Sequence, residues 1–336
     1  MSDKQISTGI NSVSNGWFRA NIDRKTLKKL SKRSDFEGWK HIIILTMSLF
    51  VFGSLCVYFW STWWFLPLYI AYCTFHGGAD AVWHECGHRT AFKTRKLNDF
   101  FYIIGSFMNT FEPVRWRWSH SLHHSYTASI DPQDHETEFM INERHSLFRF
   151  FLIYFPGANF FFFHKSLYVE IIKHALGIKT KVMNDAIPEN EIRKCIKSSR
   201  IFLLIWLSII IFSIYLQSLL PIFLFLIPNF FRSFNALWGM TQHTGLKGNV
   251  KDHRVTTRSV RLNPIFSFIY WKMEYHVEHH MFPMIPSYNL PKLHEVIKDQ
   301  LPAPKTLYTA YKDMITAVIK RKKDPSYCIP VELPNS

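Results

Sequence analysis

Two long uncharged stretches dominate the hydrophobic pattern. There is no Asp, Glu, Lys or Arg between Lys40 and Asp80, and none between Arg200 and Arg232. At roughly 20 residues per crossing, each stretch has room for about two membrane spans. The first breaks at Trp60-Ser61-Thr62-Trp63-Trp64 and the second at Gln217-Ser218, which predicts two helical hairpins with spans over about 41–59, 63–79, 201–216 and 219–231. Neither turn carries a basic residue, and the first is rich in tryptophan, as expected of outer turns, whereas nine Lys/Arg against four acids precede residue 41. Basic flanks stay on the cytoplasmic side, so both termini and residues 80–200 are expected there. Shorter apolar runs at 100–111 and 147–163 carry charge or the Pro156-Gly157 pair and are expected to lie at the interface or to re-enter. The chain therefore reads as an all-α multi-pass membrane protein: a basic cytoplasmic arm (1–40), a membrane domain (41–300) and a cytoplasmic tail (301–336).

Composition sharpens this picture. Phe 31, Trp 11 and Tyr 14 make up 17% of the chain, more than a soluble core needs, and they cluster in the uncharged runs. The near-zero mean hydropathy averages those runs with basic polar stretches. The net charge of +15 comes without a basic helix or a stacking motif for nucleic acid. It fits positive flanks facing anionic headgroups. Five cysteines without CxxC spacing suggest neither a disulfide framework nor an iron–sulfur site. The first 40 residues lack an apolar signal-peptide run, so the first uncharged block is expected to direct membrane insertion.

The candidate chemistry lies in three histidine groups: His84-Glu85-Cys86-Gly87-His88, His120-Ser121-Leu122-His123-His124 and His276-Val277-Glu278-His279-His280. With 17 histidines in 336 residues, HxxHH is expected by chance in roughly 0.04 windows, so two copies are not accidental. On a helix, residues i, i+3 and i+4 share a face; each box therefore aims two or three imidazoles at one point. Eight imidazoles suffice for two metals with four nitrogens each. Imidazole suits iron, zinc, copper or nickel, and oxygen activation requires a redox-active metal, which favours iron.

These boxes, with 31 residues between the first two and 151 between the last two, resemble those of the membrane fatty acid desaturase and hydroxylase superfamily. The segments HECGHRT, WRWSHSLHHSYT and EYHVEHHMFPMIPSYNLPKLH carry the resemblance, which runs from about residue 71 to residue 293. It implies a cytoplasmic helical cap holding two irons, O2 as co-substrate, and oxidation of an unactivated C–H bond in a lipid-like substrate. It also implies a further ligand upstream of the third box, for which His243 is the candidate. Fatty acyl desaturation leads; hydroxylase, ketolase or oxidative demethylase chemistry is the alternative within the superfamily. Because His276 stands where front-end desaturases usually carry Gln, and no HPGG motif is present, front-end desaturation is not expected.

Around the boxes, Glu85, Glu278 and Asp131 are candidate acceptors for the second N–H of ligating imidazoles. Arg115 and Arg117, alternating with Trp116 and Trp118, are candidates for binding an anionic substrate headgroup, or else form an interfacial belt with snorkelling arginines. His76 reads as a core histidine, and His41, His135, His145, His164, His174, His253 and His294 as structural or surface residues. The HExxH pattern of the first box also fits a membrane zinc protease, but that would leave six box histidines without a role. A metal carrier would place its histidines on the spans. With no dinucleotide or haem motif in the chain, electrons are expected from ferredoxin, rubredoxin or cytochrome b5 with a reductase, and the location is a bacterial inner membrane or the endoplasmic reticulum.

Overall fold

The computed structural model describes residues 16–137, 146–157 and 167–334. Helix α1 (Arg24–Leu30) starts at Asp23, whose carboxylate accepts from Thr26 N at 2.9 Å. Helix α2 (Asp35–Tyr58) starts at Ser34, with Asp35 and Glu37 in its first turn, where the helix dipole favours acids. Its 24 residues reach about 36 Å at 1.5 Å per residue, enough to cross a bilayer core. Its antiparallel neighbour α3 (Phe65–His76) has 12 residues, about 18 Å. The chain then passes through Gly77 and Gly78 into α4 (Ala79–Gly87). A Cβ on Gly77 would lie 2.2 Å from Asn235 Oδ1, so a side chain here would have to displace the Asn235 amide.

Helices α5 (Arg95–Asn109) and α6 (Pro113–Ser125) follow. Gly105 lets α5 press directly on α4, since a Cβ there would stand 2.8 Å from Trp83 N. Next come α7 (Leu147–Leu152), α8 (Leu167–Ala175), α9 (Lys181–Ala186) and α10 (Glu189–Tyr215). Beyond α10 the helices are short: α11 (Ser233–Gly239), α12 (His253–Thr256), α13 (Pro264–Ile269), α14 (His276–Met281), α15 (Leu290–Ile297) and α16 (Leu307–Lys320). A two-residue parallel ladder joins Val260–Arg261 to Lys305–Thr306.

Among the described residues, two helices, α2 and α10, are long and apolar enough to cross a membrane, and only 22% of each apolar window is buried. That exposure separates them from the core helices of a soluble protein. Ile43, Met47, Phe50 and Val51 on α2, and Leu204, Ile211 and Ile214 on α10, face outward. Tyr58 and Tyr215, at the C-terminal ends of these helices, and Trp63 and Trp64 in the following turn are also exposed, as at a membrane interface.

The return arms differ from the predicted spans. After Gln217 the chain does not form a second long α-helix. Bracketed by Pro221 and Pro228, it makes one π-helical turn (Ile222–Leu226) and a 3-10 turn (Pro228–Phe231). Carbonyls in this irregular segment accept tyrosine hydroxyls: Tyr69 donates to Phe223 O at 2.8 Å, Tyr72 to Leu224 O at 2.7 Å, and Tyr168 to Leu226 O. Those tyrosine hydroxyls satisfy carbonyls that the irregular backbone leaves without helical partners.

The predicted arm and tail pack on the rest of the chain. Trp17 Nε1 donates to Ser125 O, Ala20 is buried on Met281, and Ile329 N donates to Gly245 O at 2.8 Å.

Candidate metal centre

Three short helices present the boxes. His84 lies on α4 and His88 caps its end; His120, His123 and His124 lie on α6; His276, His279 and His280 lie on α14. The start of α6 is fixed by Pro113 at its first position and by Glu112, whose carboxylate accepts from Val114 N and Arg115 N and is held by Cys195 and Ser198 of α10. His243 sits in the turn after α11, beside Arg258, which donates to Thr241 O and Thr244 O.

These elements gather all nine sequence-nominated histidines at one place, in two groups. Ring nitrogens of His84, His88, His120, His124 and His279 lie within 4.8 Å of one another, and so do those of His123, His243, His276 and His280. Facing Nε2 atoms come close: His88 to His120 at 2.9 Å, His120 to His124 at 3.2 Å, His124 to His279 at 3.2 Å, His123 to His280 at 3.2 Å and His276 to His280 at 3.1 Å. The sequence suggested four nitrogens per metal; the structure divides them five and four.

The protonation pattern tests whether a cation fits. His120 Nδ1–H donates to Glu136 Oε2 at 2.9 Å and His123 Nδ1–H to Asp134 Oδ2 at 2.8 Å. His243 Nδ1–H donates to Thr256 O at 2.9 Å. The Thr127 hydroxyl donates to His123 O, so its oxygen is left to accept from His280 Nδ1–H at 3.2 Å. In a neutral ring held this way Nδ1 carries the hydrogen and the inward Nε2 is a lone pair. His123 Nε2 and His280 Nε2 face each other at 3.2 Å, a spacing at which one cation can bind both. His243 Nε2 and both ring nitrogens of His84 are buried without a hydrogen-bond partner, as befits nitrogens turned toward a metal.

Electrostatics favours the neutral, ligating form. Burial first, and then neighbouring imidazoles, depress His88, His124, His276, His279 and His280 well below the ordinary histidine value. Burial brings His243 down to about 3. His123 is the exception: burial lowers it, but Asp134 overrides burial and raises it.

A family model described as fatty acid desaturase matches residues 58–312, which takes in every box and His243. The chain belongs to the fatty acid desaturase family. No curated protein matches it.

The contacts around the two groups differ in part from those expected. Glu85 is fully buried beside the first box, but its Oε2 accepts from Thr90 Oγ1 and Ser287 N, and its Oε1 lies 3.7 Å from His84 Nδ1. Glu278 bonds Ser259 and His294 rather than a box imidazole. Asp131 is exposed on the far side of the loop that follows the second box. The role expected of it falls to Asp134 and Glu136, which sequence reasoning missed. The acid-rich run Asp131-Pro132-Gln133-Asp134-His135-Glu136 was a signal, but only the folded loop shows which carboxylates turn inward.

The headgroup expectation for Arg115 is corrected. It is buried, with Nε 3.0 Å from Glu170 Oε1, Nη1 donating to Ser119 Oγ and the guanidinium stacked 4.0 Å from the Trp116 ring centroid. Arg117 remains partly open, lying over Tyr102 near Asp99.

The other histidines stay outside the two groups. His76 is buried in the α2–α3 core, His41 stacks on Trp271, His135 pairs with Asp185, His174 with Thr180 and His294 with Glu278. His253 is buried against Trp17, its ring 5.1 Å from that of His280. His145 and His164 lie outside the described residues.

Proposed function

We propose that the chain is an O2-dependent di-iron oxidoreductase of a membrane, and that its leading reaction is desaturation of a fatty acyl or related lipid chain. One observation carries this reading: two adjoining sets of imidazoles, five and four, in which outward Nδ1–H bonds of His120, His123 and His243 leave their Nε2 atoms turned inward as lone pairs. Two irons held there would supply the redox chemistry that reduces O2 and oxidises a C–H bond. The donor set is all imidazole, compatible with a redox-active first-row metal. The nine histidines of the two groups are the proposed ligands, with Asp134 and Glu136 holding the tautomers of His123 and His120.

Beside them opens a cavity of about 190 Å³, whose walls include Trp83, Phe111, Trp116 and Met273. Those apolar faces would pack against a hydrocarbon segment next to His84, His120 and His276. Arg117, partly open at the surface, is a candidate contact for an anionic headgroup outside.

The test is mass spectrometry of lipids and small polar metabolites from a host expressing the chain with a reductase, against His120→Ala. Loss of two hydrogens at one chain position is expected. Gain of one oxygen would shift the assignment to hydroxylation, and no product from the iron-loaded protein would overturn it.

The proposed topology keeps the site cytoplasmic, with α2 and α10 crossing, the two short return arms completing hairpins, and an acidic electron carrier docking on the basic face. Single cysteines at exposed Ser125 and Lys292 should then label from the same side in sealed vesicles. Labelling from opposite sides would separate the second box from the third and refute the shared centre.

A further inference from the structure

The wall of the metal-side cavity is not the uninterrupted apolar surface that a bare alkyl chain would select. A second cavity of about 250 Å³ shares Asp80, Gln242 and Tyr270 with the first and adds Arg232, Asn229 and Asn235. At about 30 Å³ per water, the metal-side cavity holds on the order of half a dozen waters, room for a polar group with a short stretch of carbon.

Most of these polar groups are already engaged. Gln242 donates to Tyr270 Oη, and its amide lies 3.1 Å from His276 Nδ1. Arg232 Nη1 donates to Asn109 Oδ1 at 2.7 Å, and its guanidinium sits against the Phe111 ring. Asp80 differs. It stands in the first turn of α4 and faces both cavities, yet among the described residues no hydrogen bond or ion pair is formed by its carboxylate. Asp80 is half-buried, so a carboxylate with no protein donor is left facing the two cavities, open to solvent or to a donor on a ligand. Burial pushes its carboxyl up, while Arg232 and His84 pull it down from a distance. Asn229 Oδ1 and Asn235 Oδ1 are also buried without a donor. The cavity system thus presents unsatisfied acceptors to whatever enters it.

Spacing adds the second constraint. Asp80 and His84 are i and i+4 on α4, about 6 Å apart along the axis.

Building on the di-iron reading, we infer that the substrate carries a hydrogen-bond donor, an ammonium or a hydroxyl, that docks on Asp80 a few bonds from the C–H to be oxidised. The substrate class is then a lipid or related amphiphile that carries an amino or hydroxyl group near the carbon to be oxidised. Asp80 acts as a specificity residue that fixes which carbon lies beside the metals.

The experiment uses the purified full chain in detergent, with three six-carbon probes: hexylamine, hexan-1-ol and hexanoate. Binding is read by thermal shift and by perturbation of the iron spectrum. Hexylamine and hexanol are expected to bind at least about tenfold more tightly than hexanoate, whose carboxylate can only accept. Asp80→Asn should lose hexylamine binding by about tenfold or more while keeping hexanol. Asp80→Leu should lose both, with iron content unchanged in each variant. Equal affinity for all three probes, no binding of any, or unaltered hexylamine binding in both variants would overturn the inference. A protein that holds no iron yet keeps this selectivity would overturn the di-iron reading and leave the donor site standing.

Discussion

His276→Ala is expected to leave the purified protein with about one iron per chain instead of two, and to lower product formation by more than about 100-fold. His276 belongs to the four-nitrogen group with His123, His243 and His280, so its loss leaves three donors around a metal that has lost a quarter of its shell. His84→Ala removes one of five nitrogens from the other group and leaves four. Iron loss should therefore be smaller for His84→Ala than for His276→Ala, although activity suffers in both. His174→Ala is the control, since His174 bonds Thr180 and stands outside both groups. Iron by elemental analysis, alongside yield and monodispersity, separates metal loss from misfolding. Full activity in His276→Ala would sink the proposed ligand set.

The second large effect is expected at Asp134. Its carboxylate takes four donors at once: His123 Nδ1–H at 2.8 Å, Ala128 N at 2.8 Å and Thr137 Oγ1 at 2.6 Å on Oδ2, and Glu136 N at 3.0 Å on Oδ1. It knots the loop after the second box to the box itself, and it is buried at 2% exposure. Asp134→Ala orphans all four donors, and a cost of about 3–5 kcal/mol is expected, as for removal of one partner from a buried charged network. Asp134→Asn should recover part of this, because its amide oxygen still accepts. Thermal unfolding of the metal-free proteins measures both.

The pH dependence carries the same signature. Burial raises the Asp134 carboxyl, but His123 and the other donors outweigh burial and hold it below the ordinary carboxylate value. A carboxyl depressed in the folded state contributes stability that is fully present above its unfolded value of about 3.9 and lost as pH falls through the folded value. The gap between wild type and Asp134→Ala should be full between about pH 5 and pH 6.5, close as the solution is made more acid, and narrow as pH rises and His123 loses its proton. His123 has the opposite sign: raised in the fold, its contribution is full below about pH 6.5 and fades as pH climbs through the raised value. A gap that widened in acid would refute the Asp134 network.

Much of this protein was legible in the chain itself, because the decisive signals are local. A stretch without charge from residue 41 to residue 79 can satisfy its backbone in lipid only as helix, so α2 follows from composition. Box spacing is also local: i, i+3 and i+4 share a helix face whatever surrounds the helix, and α4, α6 and α14 each present their histidines as that periodicity requires. His243 was legible through family resemblance rather than periodicity.

What the tertiary structure decided depends on groups far apart in the chain. Hydropathy saw residues 219–231 as a span, but Pro221 and Pro228 break the helix, and hydroxyls of Tyr69, Tyr72 and Tyr168 make the irregular backbone tolerable; no window of sequence contains both partners. The five-and-four division of nitrogens arises because His279 reaches the first group while His276 and His280 reach the second, a choice made by how α14 docks. Asp134 and Glu136 displaced Asp131, and Arg115 turned inward to Glu170. Charged side chains in a sequence are interchangeable candidates until packing removes some of them from water, and the energy that selects among them is the cost of burying each one unpaired.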